Sequence, residues 1–210
     1  MLDGDEKSRN ARGAALLQPD RTRAIWRAAI IELARVGYGR LSMEVVAKRA
    51  GVGKAALYRR WPGKEAMVIA LIRAIGLEVI AVSDQGSLEA DVRRYIADAT
   101  RILSRPLSVR ILPDLYSEMG RDTPLAEAIR ATVQERKRKS AAEIVDRAVR
   151  RGELDGAIQR EMAFDFLAGP IYWRMLVTRR SIDEHYGNEL TSAIIGALSA
   201  MSRQRHVISA

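Results

Sequence analysis

Apolar residues recur at three- and four-residue spacing along most of this chain, and no alternating segment of useful length appears. That period lines side chains up on one face of an α-helix, whereas a half-buried strand alternates every second residue. The fold class it implies is all-α, with about nine helices. Gly and Pro set the breaks. Ile25, Trp26, Ala29, Ile30, Leu33 and Ala34 mark a first helix, with Asp20 as its N-cap and Gly37 as its stop. Met43–Ala50 is a short helix capped by Ser42, Gly51-Val52-Gly53 breaks it, and Lys54–Arg60 is a second short helix ended by Pro62-Gly63. Lys64–Val82 reads as one longer helix, with Met67, Leu71, Ile75 and Val79 apolar. Ser87 caps a helix reaching about Ser104, and Pro106 opens a stretch that Pro113 interrupts and Gly120 stops. Thr123-Pro124 has the N-cap and first-turn proline of a long helix, apolar at Ile129, Val133 and Ile144, that ends at Gly152. Glu161–Thr178 and Asn188–Arg203 close the series. Residues 1–19 show no sustained period and are expected to form a disordered arm.

The charge is concentrated at one end. The net charge is +9, and residues 1–64 hold 14 Lys/Arg against 6 Asp/Glu, a surplus of +8; residues 65–210 hold 21 against 20. A basic module beside a near-neutral body is the electrostatic pattern of nucleic-acid binding. The alternative is a solubilising tail, which gathers its cations in one run. Here Arg21, Arg23, Arg27, Lys48, Arg49, Lys54, Arg59, Arg60 and Lys64 are interleaved with apolar residues.

Other classes are excluded or disfavoured. There are no cysteines, so disulfide scaffolds, thiolate metal sites and cysteine nucleophiles are out, and the two histidines, His185 and His206, cannot build a multi-histidine centre. No metal and no cofactor is expected. No apolar run approaches the roughly 20 residues of a membrane span, and Met1–Asp20 carries no signal-type segment. The expectation is a cytoplasmic protein without a membrane partner. Gly51-Val52-Gly53-Lys54-Ala55-Ala56 formally matches a dinucleotide fingerprint, but a helix precedes it where a strand is required. Ala55 after Lys54 also fails a P-loop. An enzyme is therefore not expected, and an RNA binder lacks an aromatic stacking platform on a sheet.

Residues 42–60 have the order of a helix-turn-helix, whose second helix lies in the DNA major groove. Ala47 and Ala50 allow close approach, Gly51 can take positive φ, and Val52 and Leu57 can fill the space between the helices. Lys54, Tyr58 and Arg59 then face outward, with Arg60 close to them. Lys54 suits a phosphate or guanine contact. Arg59 suits either a bidentate contact to guanine O6 and N7 or a phosphate clamp. Ser42 sits at a helix N-terminus that favours phosphate, besides capping it. Arg21 and Arg23 are further backbone or minor-groove candidates. Trp61 reads as module core.

The whole stretch Gly37–Ala66, with Gly37-Tyr38, Ser42, Val46-Ala47, Ala50-Gly51-Val52, Leu57-Tyr58 and Trp61-Pro62-Gly63-Lys64-Glu65, closely resembles the DNA-binding signature of the TetR (tetracycline-repressor) family. The resemblance is specific over about residues 20–70. It implies a homodimeric, usually repressing, transcription regulator released from double-stranded DNA by a small-molecule effector. It gives Tyr58 a phosphate contact through its hydroxyl and Lys64 a phosphate contact at the next helix start. Gly53 and Ala55, at the head of the second helix, complete the expected DNA-binding set. Gly53 stands where members often have Ser or Thr, and Arg59-Arg60-Trp61 replaces a His/aromatic run, so the family's operator preference does not carry over.

The division implied is an arm at 1–19, a helix-turn-helix domain at 20–64 and an effector-binding and dimerisation domain at 65–210. The resemblance implies a pocket in that body, with Ile102, Tyr116, Met119, Phe166, Tyr172, Trp173 and Met175 as expected lining, although Met and aromatic residues at helical spacing also suit a plain core. It implies a dimer through the last two helices, where Ala168, Gly169, Ile194, Ile195, Gly196, Ala197, Leu198, Ala200 and Met201 offer small and apolar surface; an intramolecular helix pair is the alternative. A ligand-independent architectural DNA binder, or an activator, remains the rival reading.

Overall fold

A computed structural model describes the backbone of residues 4–75 and 83–203 and the side chains of 20–74, 83–132 and 138–202. The expected helical turn at 76–82, the side chain of Val133, His206 and the side chains of the expected arm lie outside the described residues. The described residues form nine α-helices and one π-helical turn, with no strand among them. They pack as two compact units, Met1–Ala74 and Ile75–Ala210.

The first unit holds α1 (Gly4–Arg40), α2 (Met43–Ala50), α3 (Lys54–Arg60) and α4 (Lys64–Ile75). Its backbone is helical from Gly4, ahead of the start expected at Asp20. Gly37 (φ 76°, ψ 170°) breaks the helical geometry inside α1, and a last turn follows it. Ile25, Ala29 and Leu33 of α1, Val46 and Ala47 of α2, Leu57 of α3, Trp61, and Met67, Val68, Leu71 and Ile72 of α4 are all buried. The inward face of α4 belongs to this core, so the unit boundary falls after α4.

The second unit holds α5 (Leu88–Leu103), α6 (Pro106–Glu118), α7 (Pro124–Arg150), α8 (Arg160–Tyr172), the π-turn Trp173–Val177 and α9 (Glu184–Arg203). Ser87 and Thr123 cap α5 and α7 as their spacing implied, accepting from the Ala90 and Ala126 amides. Pro113 does not interrupt α6 as expected. Its missing donor would serve the carbonyl of Val109, an exposed residue that water can reach. α9 begins earlier than expected because Asp183 accepts from the Tyr186 amide at 2.8 Å and caps it. The core runs through Val92, Tyr95 and Ile96 of α5, Ile144 and Ala148 of α7, Leu167 and Ile171 of α8, and Ile194 and Leu198 of α9. Arg147 and Arg151 both donate to the fully buried Asp91, at 3.2 and 3.0 Å, and clamp the start of α5 to the end of α7.

Candidate functional site

The turn between α2 and α3 is built by its backbone. Gly51 adopts φ 67°, ψ 30°, a left-handed conformation that costs a side-chain-bearing residue strain. The Val52 amide then donates to the Ala47 carbonyl at 3.0 Å, which turns the chain sharply enough to start α3. Ser42 Oγ accepts from the Val45 amide at 3.4 Å at the start of α2. Gly53 occupies the N-cap of α3 and supplies no side-chain cap, so the first amides of that helix keep their donors. Leu57, 1% exposed, anchors α3 to the unit. With Leu57 inward, Lys54, Ala55, Tyr58, Arg59 and Arg60 are exposed.

The cations differ in how they are held. Lys54 Nζ donates to Glu44 Oε1 at 2.5 Å, a bridge between α3 and α2 that phosphate can displace because both partners are exposed. Arg59 is exposed. Arg60 donates through Nη1 to Thr22 Oγ1 at 2.8 Å and lies 4.8 Å from the Trp61 ring, so it is drawn back toward α1. Trp61 is buried and packs against Trp26 with centroids 4.8 Å apart, in keeping with a core residue. Lys64 is half-buried and donates to the carbonyls of Tyr38 (3.0 Å) and Gly39 (2.6 Å). Sequence reasoning gave it to phosphate alone; two of its three donors close the end of α1. Glu32, 1% exposed, was not foreseen: Arg35 grips it at 2.8 and 3.1 Å and Arg49 stands 3.8 Å away. The Arg35 hydrogen bonds hold its carboxyl below the usual range, against the opposing effect of burial.

The second unit contains a cavity of about 650 Å³ between α6 and the α8–π-turn segment. Tyr116, Met119 and Tyr172 line it as expected. Ile102 and Met175 instead pack against the hydrophobic core. Phe166 and Trp173 do not line it, because the turn of α8 carries them to the opposite face, where they are 44% and 63% exposed. The lining also includes Pro113, Phe164, Asp165, Leu176 and Val177, with Ala168 and Gly169, both expected at the dimer face; Gly169 and Val177 are exposed as well as bordering the cavity. Spacing from Tyr172 back to Ala168 and Phe164 was the available signal.

The outward face of α8 and the π-turn carries Met162, Phe166, Gly169, Trp173 and Val177, all exposed and repeating every three or four residues. On α9, Ile194 and Leu198 are buried in the core, which removes them from the expected dimer surface. Ile195 and Met201 pack partly against that core, and Ala197 is half-buried.

Both units match known families. Residues 25–71 match the bacterial regulatory proteins of the tetR family, and residues 82–194 match the tetracyclin repressor-like C-terminal domain. The chain is 26% identical over 180 residues to the uncharacterized HTH-type transcriptional regulator YdeS of Bacillus subtilis, covering 86% of this chain and 90% of that one. It is 29% identical over 179 residues to the DNA-binding transcriptional repressor TetR of Mycobacteroides abscessus, covering 85% and 89%. The fold matches the crystal structure of FadR from Bacillus subtilis in complex with stearoyl-CoA, at a TM-score of 0.65 and 17% identity, over 86% of this chain and 98% of that one. These relatives are regulators rather than enzymes, and no helix among the described residues is long and apolar enough to cross a membrane. With both halves matched, the chain belongs to the TetR family of DNA-binding transcriptional regulators.

Proposed function

We propose that the protein is a homodimeric repressor that grips a palindromic operator through α3 and is released by a small molecule in the cavity of the second unit. The observation that carries this is α3 itself: one buried leucine, Leu57, holds the helix, and Lys54, Tyr58 and Arg59 stand exposed on its other faces. Tyr58 and Lys54 contact phosphate and fix position, Ser42, Gly53 and Ala55 bring the heads of α2 and α3 to the backbone, and Arg59 reads a base edge. Arg60 and Lys64 act chiefly by holding the module together.

The dimer forms through the outward stripe of α8. A contiguous exposed apolar face of this kind marks an interaction surface, and the aromatic residues Phe166 and Trp173 suit the core of one. The exposed small residues Gly196 and Ala200 of α9 extend it. Two recognition helices then meet successive grooves about 34–36 Å apart, or a multiple of that. A ligand that favours another spacing lowers DNA affinity, and DNA lowers ligand affinity by the same factor. The stearoyl-CoA held by the FadR neighbour supports a ligand-holding role for a body of this fold. Such a regulator works where the chromosome is, in the cytoplasm.

A reporter placed behind a selected operator tests the sign of regulation. Expression falls when the protein is supplied and recovers with Arg59→Ala. A rise would make the protein an activator, and no change with operator bound would leave an architectural binder.

A further inference from the structure

Three tyrosines meet beside the cavity of the second unit. Tyr116 and Tyr172 line it, with rings edge to face and centroids 6.0 Å apart, and their hydroxyls are hydrogen-bonded to one another. Tyr95 of α5 is 1% exposed, and its hydroxyl lies close enough to both to feel them electrostatically. The Tyr95 oxygen has no hydrogen-bond partner among the described residues. A buried hydroxyl without a partner is costly, and such groups in folded proteins call for a reason. Tyr95 does not itself line the cavity, so contact with a bound heteroatom falls to Tyr116 and Tyr172, which do.

The rest of the wall narrows the chemistry. Pro113, Met119, Phe164 and Leu176 give it an apolar surface, and its volume of about 650 Å³ fits a compound of drug-like size. Among the described residues one charged residue lines it, the exposed Asp165, and the lining holds no Lys, Arg or His. Burial pushes the Tyr116 hydroxyl up to about 12, and those of Tyr95 and Tyr172 higher still, so all three phenols stay neutral donors and acceptors. A carboxylate placed here would face Asp165 and apolar walls and meet no counter-charge among the described residues.

We infer that this cavity takes an uncharged, largely apolar molecule bearing one hydrogen-bonding head group, which Tyr116 and Tyr172 read, and that it rejects carboxylates of the same shape. The inference names the class of effector and rests on the cavity being the effector site.

Calorimetric titration of the full chain with biphenyl, biphenyl-4-ol and biphenyl-4-carboxylate at neutral pH tests it. Biphenyl-4-ol is expected to bind tightest and the carboxylate at least about tenfold more weakly, the order of one uncompensated polar group. Tyr116→Phe and Tyr172→Phe should each weaken biphenyl-4-ol by about tenfold while leaving biphenyl unchanged. Asp165→Asn should narrow the gap between phenol and carboxylate. The inference is overturned if the carboxylate binds as tightly as the phenol, if both Phe variants leave the phenol unaffected, or if no probe binds a protein shown to be folded. Anisotropy of a labelled operator separates the two readings. If the rank order holds but saturating biphenyl-4-ol leaves operator affinity unchanged, the ligand class stands and release through this cavity fails.

Discussion

The Lys64 ammonium sits 4.8 Å from the centre of the Tyr38 ring and donates to the Tyr38 carbonyl at 3.0 Å, so the start of α4 locks the end of α1. It donates as well to the Gly39 carbonyl at the same helix end, while the Tyr38 carbonyl also accepts from the Leu41 amide at 3.2 Å. Lys64→Met keeps the aliphatic stem and removes the ammonium. It should cost about 1 kcal/mol of stability and lower affinity for every duplex alike. Thermal melting beside anisotropy checks this, and an unchanged melting temperature would show that the lock contributes nothing.

Tyr58→Phe should behave differently. Tyr58 is 42% exposed, so loss of its hydroxyl should leave the melting temperature alone while weakening all duplexes roughly equally. Arg59→Ala should instead cost about 1–3 kcal/mol at one base-pair position. A loss uniform across sequences would make Arg59 a phosphate contact.

Gly51→Ala isolates backbone strain. A Cβ added there meets no atom within 4 Å, so the effect comes from φ 67° alone. A destabilisation of about 1–2 kcal/mol is expected, measured by urea unfolding. A neutral result would contradict the left-handed turn.

These features of α2 and α3 were legible because they are local. Capping, a glycine turn and one buried leucine are set within twenty residues of chain. The body was harder to read. α8 is apolar on two faces, Phe164–Ala168–Tyr172 and Phe166–Gly169–Trp173, and a helical period cannot say which one turns inward. Phe166 and Trp173 are therefore expected at the cavity and Ala168 at the dimer, while Gly169 borders the cavity and the exposed stripe alike. Lys64 shows a related limit: composition shows a cation, but not the carbonyls it meets 25 and 26 residues earlier in the chain.

The α8 stripe yields its own prediction. Trp173→Glu should leave the monomer folded, since the side chain is mostly exposed, but abolish dimers in light scattering and weaken binding to a two-site operator far more than to a half-site. A dimer that survives the substitution would move the interface elsewhere.

Glu32 sets an acid limit. Its carboxyl is held below the ordinary value, so the folded form binds its proton less readily than the unfolded chain does. The stabilisation is complete above the unfolded pKa of about 4.3 and is lost as pH falls through the folded value. Melting temperature followed from pH 7 downward should therefore drop in that acid range, and Glu32→Gln should flatten this part of the profile while lowering stability at neutral pH.

The most direct measurement is selection of binding sites from a random duplex library with the purified protein, followed by affinity of one winner against salt. A palindromic consensus with half-sites about one helical turn apart or a multiple of it, and a steep fall of affinity with salt, is the expected result. Weak binding without enrichment, from a protein shown to be folded, would contradict the reading of α3 as a sequence-specific recognition helix.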